Sequence, residues 1–435
     1  MMKNPIDHDI RKLALPALGA LLAEPLLIAI DSAMVGHLGT TSLAGLSLAS
    51  TILTTIVGLC IFLAYATTAA AARAVGAGNI ASALRQGLDG VWLGFGLGSL
   101  LGVLLYVFSP SLLAAFHPDS AVLVQALAYI RASAWGLPGM LTVLAATGTL
   151  RGFGDTITPF YATTAGAIIN APLNFVLIYV AHWGIAGAGA GTATAQTLMG
   201  LWLVGKIDVH ARSEAVAFWP TGAGVLRSLR DAVPLIIRTI SLRAAILLQI
   251  AASTSLGTIA LASNQITMTF WNFAAYGLDA LATAAQILVG QSLGSHDHER
   301  VREVLGRCLN RGLVYGAWLG GALFALSWIL PRLISTDSAV RGLATHCLWV
   351  TALALPLASI AYMLDGVLIG AGDTRKLALY MVVALAAFAP CALGIMWWGS
   401  GSTAQIFLWI AYAVVFMGAR AATMYRRIRG NEWLN

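Results

Sequence analysis

Charge is scarce in this chain. Only 10% of its 435 residues are Asp, Glu, Lys or Arg, while 59% are hydrophobic; soluble domains carry about 25% charge. A water-soluble fold of this length has too little polar surface to cover such a composition, which excludes a soluble enzyme or binding module. Cysteine is equally sparse. The four, Cys60, Cys308, Cys347 and Cys391, are scattered without a CxxC pair, so they read as small apolar packing residues rather than a disulfide or metal framework. Complete catalytic signatures are missing too. Gly290-Gln291-Ser292-Leu293-Gly294 spells GxSxG, but a nucleophile elbow needs a strand-to-helix turn, and this run closes a long apolar segment. His298-Glu299 opens an HExxH that fails at Arg302, so no zinc site follows. Gly205-Lys206 lacks the upstream spacing of an ATP-binding loop, and none of the eight histidines falls deep within an apolar run. No enzyme activity, cofactor or resident metal is therefore expected. A signal peptide is not expected either. Lys3, Arg11 and Lys12 precede an apolar segment that is too long and lacks a cleavage site, so it reads as a retained first helix.

Long apolar runs are what the chain has in abundance. Crossing about 30 Å of hydrocarbon takes about 20 apolar residues in a helix. Twelve such spans are predicted, at roughly 12–36, 43–72, 86–109, 121–148, 159–181, 186–207, 228–253, 259–291, 304–330, 339–370, 377–398 and 403–425. The expected fold is therefore all-α and integral to the membrane, with short connections and no stretch left for a sizeable soluble domain. The net charge of +7 is distributed by side. Of the 25 Lys and Arg, 20 fall at the ends of spans that share a side with the termini, while Arg332 and Arg341 alone fall on the other. Arg131, Arg238 and Arg243 lie inside spans. Such a bias puts both termini in the cytoplasm of a multi-pass plasma (inner) membrane protein, and explains the positive charge without a nucleic-acid partner.

An internal repeat runs at a constant offset of 218 residues. Pro16 pairs with Pro234, Pro138 with Pro356 and Pro172 with Pro390. Leu38-Gly39-Thr40 pairs with Leu256-Gly257-Thr258, and the Gly-Asp-Thr run ending at Thr156 pairs with that ending at Thr374. Three proline pairs among 13 prolines far exceed the ~0.2 expected by chance. Two halves follow, 1–217 and 218–435. Six spans per half leave both halves in the same orientation, giving two parallel six-helix repeats, an architecture of secondary transporters. Prolines fall inside predicted spans 1, 4, 5, 7, 10 and 11, where each frees a carbonyl and offers a bend.

Residues 24 to 31 read EPLLIAID. An ionised Asp at the depth of Asp31 costs roughly 2.5–3.5 kcal/mol on insertion scales, so it is expected to face a cavity or polar partners. Loss of water disfavours the charged form of a carboxyl, which suits Asp31 to carrying a proton. Glu24 stands two turns earlier on nearly the same face and is expected to line the same cavity. Asn170 and Asn174, at i and i+4, share one face of the fifth span; their amides can serve a carboxyl in either protonation state. In the second half the position equivalent to Asp31 is Gln249, and acids appear instead at Asp279 and Asp365, with Arg243 as the expected counter-charge. They can form either a second coupling site or a structural ion pair. Asp155 and Asp373, in the paired turns, are expected to cap helices.

LALPALGALLAEPLLIAIDSAMVGHLG at 13–39, LRGFGDTITP at 150–159, AAYGLDALATAAQILVGQSLG at 274–294 and YMLDGVLIGAGDTRK at 362–376 resemble the multidrug and toxic compound extrusion (MATE) family, and within it the DNA-damage-inducible F (DinF) branch. The resemblance covers most of the chain. It implies a V-shaped pair of six-helix lobes that exports amphipathic compounds, driven by inward protons or sodium ions. It implies a coupling set of Asp31, Asn170, Asn174, Tyr129 and Thr192, and a bending role for Pro16. Some relatives carry a second acid where this chain has Asn174, which leaves Asp31 more alone. The expected partners are small amphipathic molecules and the bilayer, with the chain working as a monomer. A flippase for lipid-linked precursors, of the same superfamily, is the alternative. Its cavity would be strongly cationic, whereas the acids Glu24, Asp31, Asp279 and Asp365 balance the three arginines inside spans.

Overall fold

The structure is a computed structural model that describes residues 5–434; the side chain of Glu24 lies outside the described part. Twelve helical rods run along the chain, and no strand occurs among the described residues. They are α1 (Pro5–Gly36), α2 (Thr40–Gly76, with a turn at Cys60-Ile61), α3 (Ile80–Ala114), α4 (Ser120–Ala134 continued by Leu137–Gly152), α5 (Ile157–Val180) and α6 (Ile185–Ser213). The second half holds α7 (Gly222–Ser255), α8 (Thr258–Gly294), α9 (His298–Leu326), α10 (Ser338–Ala371), α11 (Thr374–Trp398) and α12 (Gly401–Arg429). Nine are long and apolar enough to cross a membrane on length and composition alone. The other three depart for local reasons. α4 is interrupted, α6 opens on the weakly hydropathic Gly187-Ala188-Gly189-Ala190-Gly191, and the first turns of α9 carry Arg300, Arg302, Arg307 and Arg311.

The repeat is visible in the backbone. α2 and α8 are 218 residues apart at both ends. α3 starts behind Asn79 and α9 behind Asp297, and each side chain accepts an N–H of its helix's first turn, from Ser82 and Arg300, which satisfies a donor the helix cannot. Gly154 and Gly372 turn the chain with φ of 83° and 82°, a left-handed conformation that a Cβ disfavours. Packing repeats as well. Gly98 and Gly102 of α3 lie under the carbonyls of Leu137 and Ala134 of α4, so that an added Cβ would meet them at 2.6 and 2.8 Å. Gly316 and Gly320 of α9 lie in the same way under Leu355 and Ala352 of α10, at 3.0 and 2.4 Å. Small residues one turn apart let two backbones approach this closely where apolar lipid provides no hydrophobic drive.

The prolines do not all behave alike. Pro16, Pro172, Pro234, Pro356 and Pro390 sit inside continuous helices, but Pro138 opens the second segment of α4, where its missing N–H costs nothing. The last turn of α5, Val176–Val180, widens into π geometry, as does Ala411–Phe416 within α12.

The chain forms two compact units, one of Leu15–Ala232 and the other of Met1–Ala14 with Val233–Asn435. The start of α1 thus belongs with the second-half helices, where Arg311 of α9 donates to Asp7, Nε to Oδ1 at 2.9 Å. The connection after α6 belongs with the first half. Arg85 of α3 donates to the carbonyls of Ala217 (2.8 Å) and Trp219 (2.7 Å), and Trp92 Nε1 donates to that of Phe218 (3.0 Å). Asp89 accepts the N–H of Thr221 at 3.1 Å and holds Arg85 in place at 2.5 Å. Those bonds hold the connection to the first-half unit, whose boundary falls at Ala232 rather than at residue 217.

Candidate functional site

In the first-half unit four predicted residues close a ring of hydrogen bonds. Asp31, on α1, is 8% exposed. Its Oδ1 accepts from Asn174 Nδ2 at 2.7 Å, and its Oδ2 from Thr192 Oγ1 at 3.2 Å. Asn174 Nδ2 also donates to Asn170 Oδ1 at 3.1 Å, and Asn170 Nδ2 donates to Thr192 Oγ1 at 3.3 Å. The i, i+4 spacing on α5 brings the two amides onto one face. Gly191 of α6 makes room for them: a Cβ there would stand 1.8 Å from Asn174 Oδ1. Tyr129 of α4 is buried beside Thr192 and Ser133, within electrostatic reach of Asp31. Pro16 lies in α1 as predicted. Glu24 belongs to the same helix, but its side chain lies outside the described residues.

The ring is chemically two-sided. As drawn, it offers Asp31 two donors, which suits a carboxylate. A protonated Asp31 would need one acceptor instead. Asn174 Oδ1 is buried without a hydrogen-bond partner among the described residues, and rotation of that amide would turn an acceptor toward the acid. The partners of Asp31 in the ring are an amide and a hydroxyl, and neither carries charge.

The second-half unit is built differently. Asp365 of α10 is 3% exposed and is held by Arg238 of α7, with Nε donating to Oδ1 at 3.0 Å and Nη2 closing a second bond to Oδ2. This corrects the expectation for Arg243. Five positions on from Arg238, it lies on another side of α7, and its side chain is exposed. A second arginine joins the pair. Arg420 of α12 is 1% exposed, with Nη2 3.7 Å from Asp365 Oδ2 and its guanidinium over the rings of Tyr362 (5.4 Å) and Phe416 (5.8 Å). By sequence Arg420 groups with the terminal basic cluster, yet it stands inside the predicted span 403–425. That depth is the signal that marks it as buried. Asp279 of α8 is half-buried and acts electrostatically on Tyr362. The repeat position of Asp31 is filled by Gln249, fully buried, whose Nε2 donates to Asn264 Oδ1 at 3.4 Å, as does that of Gln405. Three amides thus occupy the place of the acid-centred ring.

Of the paired turns, Asp155 caps α5 by accepting the N–H groups of Ile157 (3.1 Å) and Thr158 (2.9 Å). Asp373 does not cap. Its carboxylate takes Arg427 Nε at 2.7 Å instead, because a charged donor outbids a backbone amide.

Comparison with known proteins agrees with this architecture. The MatE family model matches residues 16–176 and again 234–393, two stretches that begin 218 residues apart. The chain is 31% identical to "Protein DETOXIFICATION 44, chloroplastic" of Arabidopsis thaliana over 393 residues, 87% of this chain and 74% of that protein. It is 28% identical to the "DNA damage-inducible protein F" of Escherichia coli over 99% of this chain and 93% of that one, in keeping with the DinF resemblance. Among solved structures, the Vibrio cholerae MATE transporter VcmN in its bent form superposes with a TM-score of 0.88 at 20% identity, covering 99% of this chain and 98% of that one. With the family model matched in both halves and relatives aligned along most of its length, this multi-pass membrane chain belongs to the MatE family of multidrug efflux transporters, and is a transporter rather than an enzyme.

Proposed function

We propose that the chain is a secondary antiporter that exports small amphipathic molecules, cationic or neutral, in exchange for inward protons, with Asp31 as the proton carrier. The observation that carries this reading is the ring around Asp31: a buried acid with uncharged partners and a rotatable amide beside it. Such a site can lose and regain a proton without breaking an ion pair, which a buried acid held by arginine cannot do. Asn170, Asn174 and Thr192 position the acid, and buried Tyr129 stands beside Thr192. The side bias of Lys and Arg supports both termini in the cytoplasm of the plasma membrane, so protons enter and cargo leaves. The chain works as a monomer in this reading.

Dye efflux from right-side-out membrane vesicles tests it. Efflux should collapse when a protonophore dissipates the proton gradient, and Asp31→Asn should abolish coupled efflux while cargo binding persists. Efflux that survives the protonophore and follows an imposed sodium gradient would replace the proton with sodium. Wild-type efflux by Asp31→Asn at equal expression would remove Asp31 from the mechanism. Buried Arg238 and Arg420 outnumber Asp365 in the second half, which favours, as the second reading, a flippase for lipid-linked anions; export of anionic in place of cationic probes would select it.

A further inference from the structure

One cavity sits apart from both polar clusters. It has a volume of about 360 Å³ and lies where α9 ends and α10 begins, lined among others by Arg332, Arg341, His346, Thr345, Trp328 and Trp349. The two arginines are the same two that stand alone on the side opposite the chain's basic clusters. Neither has an ion pair among the described residues. The acid closest in sequence, Asp337, is already committed to the N–H groups of Ala339 (2.7 Å) and Val340 (3.3 Å). Counting that carboxylate, the three residues still leave one positive charge at the cavity.

The walls are ordered around these charges. Trp349 donates through Nε1 to Ser327 Oγ at 2.9 Å, and Thr345 Oγ1 donates to the Ser327 carbonyl at 3.2 Å. Trp349 meets Trp328 at 5.4 Å and the His346 ring at 4.9 Å. His346 Nδ1 is bonded to the Gly342 carbonyl at 2.7 Å, which fixes the ring. Beside the cavity, Ile329, Leu333 and Ile334 are 52%, 75% and 53% exposed, an apolar rim of the kind that faces acyl chains. Tryptophans belong at the membrane–water interface, with an apolar body and a polar handle.

We propose that this cavity binds the phosphate of an anionic phospholipid headgroup, held by Arg332 and Arg341 with the tryptophans seating the glycerol region and the apolar rim meeting the chains. Paired guanidinium groups match phosphate oxygens in geometry and charge. Free phosphate shares that chemistry but has no use for the aromatic walls or the exposed rim. The site fixes the second-half unit to anionic lipid at the end of its bundle away from the chain's C-terminus.

Native mass spectrometry of the full chain, exchanged into detergent with equal phosphatidylglycerol and phosphatidylcholine, tests the assignment. Each arginine near a lipid surface is worth about fivefold in affinity, so Arg332→Gln with Arg341→Gln should weaken the tightest phosphatidylglycerol adduct by roughly 25-fold and leave phosphatidylcholine unchanged. A charge-matched pair at the other end of the bundle, Arg426→Gln with Arg429→Gln, should leave that adduct in place. If the double variant does not fold, Arg332→Gln alone should cost about fivefold. Equal adducts in wild type and the Arg332/Arg341 variant would overturn the proposal, as would an equal loss in the Arg426/Arg429 variant. Displacement of the lipid by millimolar inorganic phosphate would reassign the cavity to a soluble anion.

Discussion

Suppose the pH gradient across proteoliposomes is held fixed and only the membrane voltage is varied, with valinomycin and potassium, while a fluorescent monocation is exported. The outcome depends on how many acids carry protons. Asp31 is ringed by an amide and a hydroxyl. Asp365 is held by Arg238 and approached by Arg420. Removing the charge of Asp365 would leave buried arginine uncompensated, at a cost of about 3–5 kcal/mol, whereas Asp31 incurs no such cost. One carrier means one proton in for one monocation out, and no net charge moves. Steady-state accumulation should then be unchanged by 100 mV and should change about tenfold for each unit of pH gradient. With two carriers one net charge would cross, releasing roughly 2.3 kcal/mol per 100 mV, or a 40–50-fold change in accumulation. A change of that size, lost in Asp365→Asn with transport retained, would refute the single-carrier argument and move part of the coupling into the second half.

Arg238→Gln should destabilise the protein in detergent unfolding by up to about 3–5 kcal/mol, because it removes both close bonds to Asp365 and leaves only Arg420 at 3.7 Å; a variant as stable as the wild type would contradict the pairing. Gly191→Ala should abolish export in a chain that still folds, since its methyl would stand 1.8 Å from Asn174 Oδ1 and displace the amide from Asp31; dye efflux at equal expression reads this. Arg85→Ala should expose residues 214–221 to limited proteolysis, as it removes the bonds to the Ala217 and Trp219 carbonyls, while an unchanged digestion pattern would show that Trp92 and Asp89 hold the segment unaided.

Much of the architecture was legible from the chain itself. Hydropathy places twelve spans because lipid forces each backbone segment to satisfy its own hydrogen bonds, which makes local composition decisive. The 218-residue offset predicts paired turns, and the left-handed Gly154 and Gly372 bear it out. Asn170 and Asn174 were recognisable as one face because i, i+4 spacing is a property of a single helix. What meets that face is not. Asp31 and Asn174 are 143 positions apart, and their bond depends on how α1 and α5 are rotated and how closely they pack. The same geometry decided the second half. Arg238 and Arg243 both lie in α7, and no local pattern tells which of them faces α10; only helix rotation brings Arg238 to Asp365 and turns Arg243 away. Arg420 follows the same rule. The sequence counts it among terminal charges, whereas the packing of α12 against α10 buries it beside Tyr362. Composition and periodicity fix which segments enter the membrane, because those depend on each segment alone. Which charges meet inside it depends on rotations about helix axes, and these are settled only when all the helices pack together.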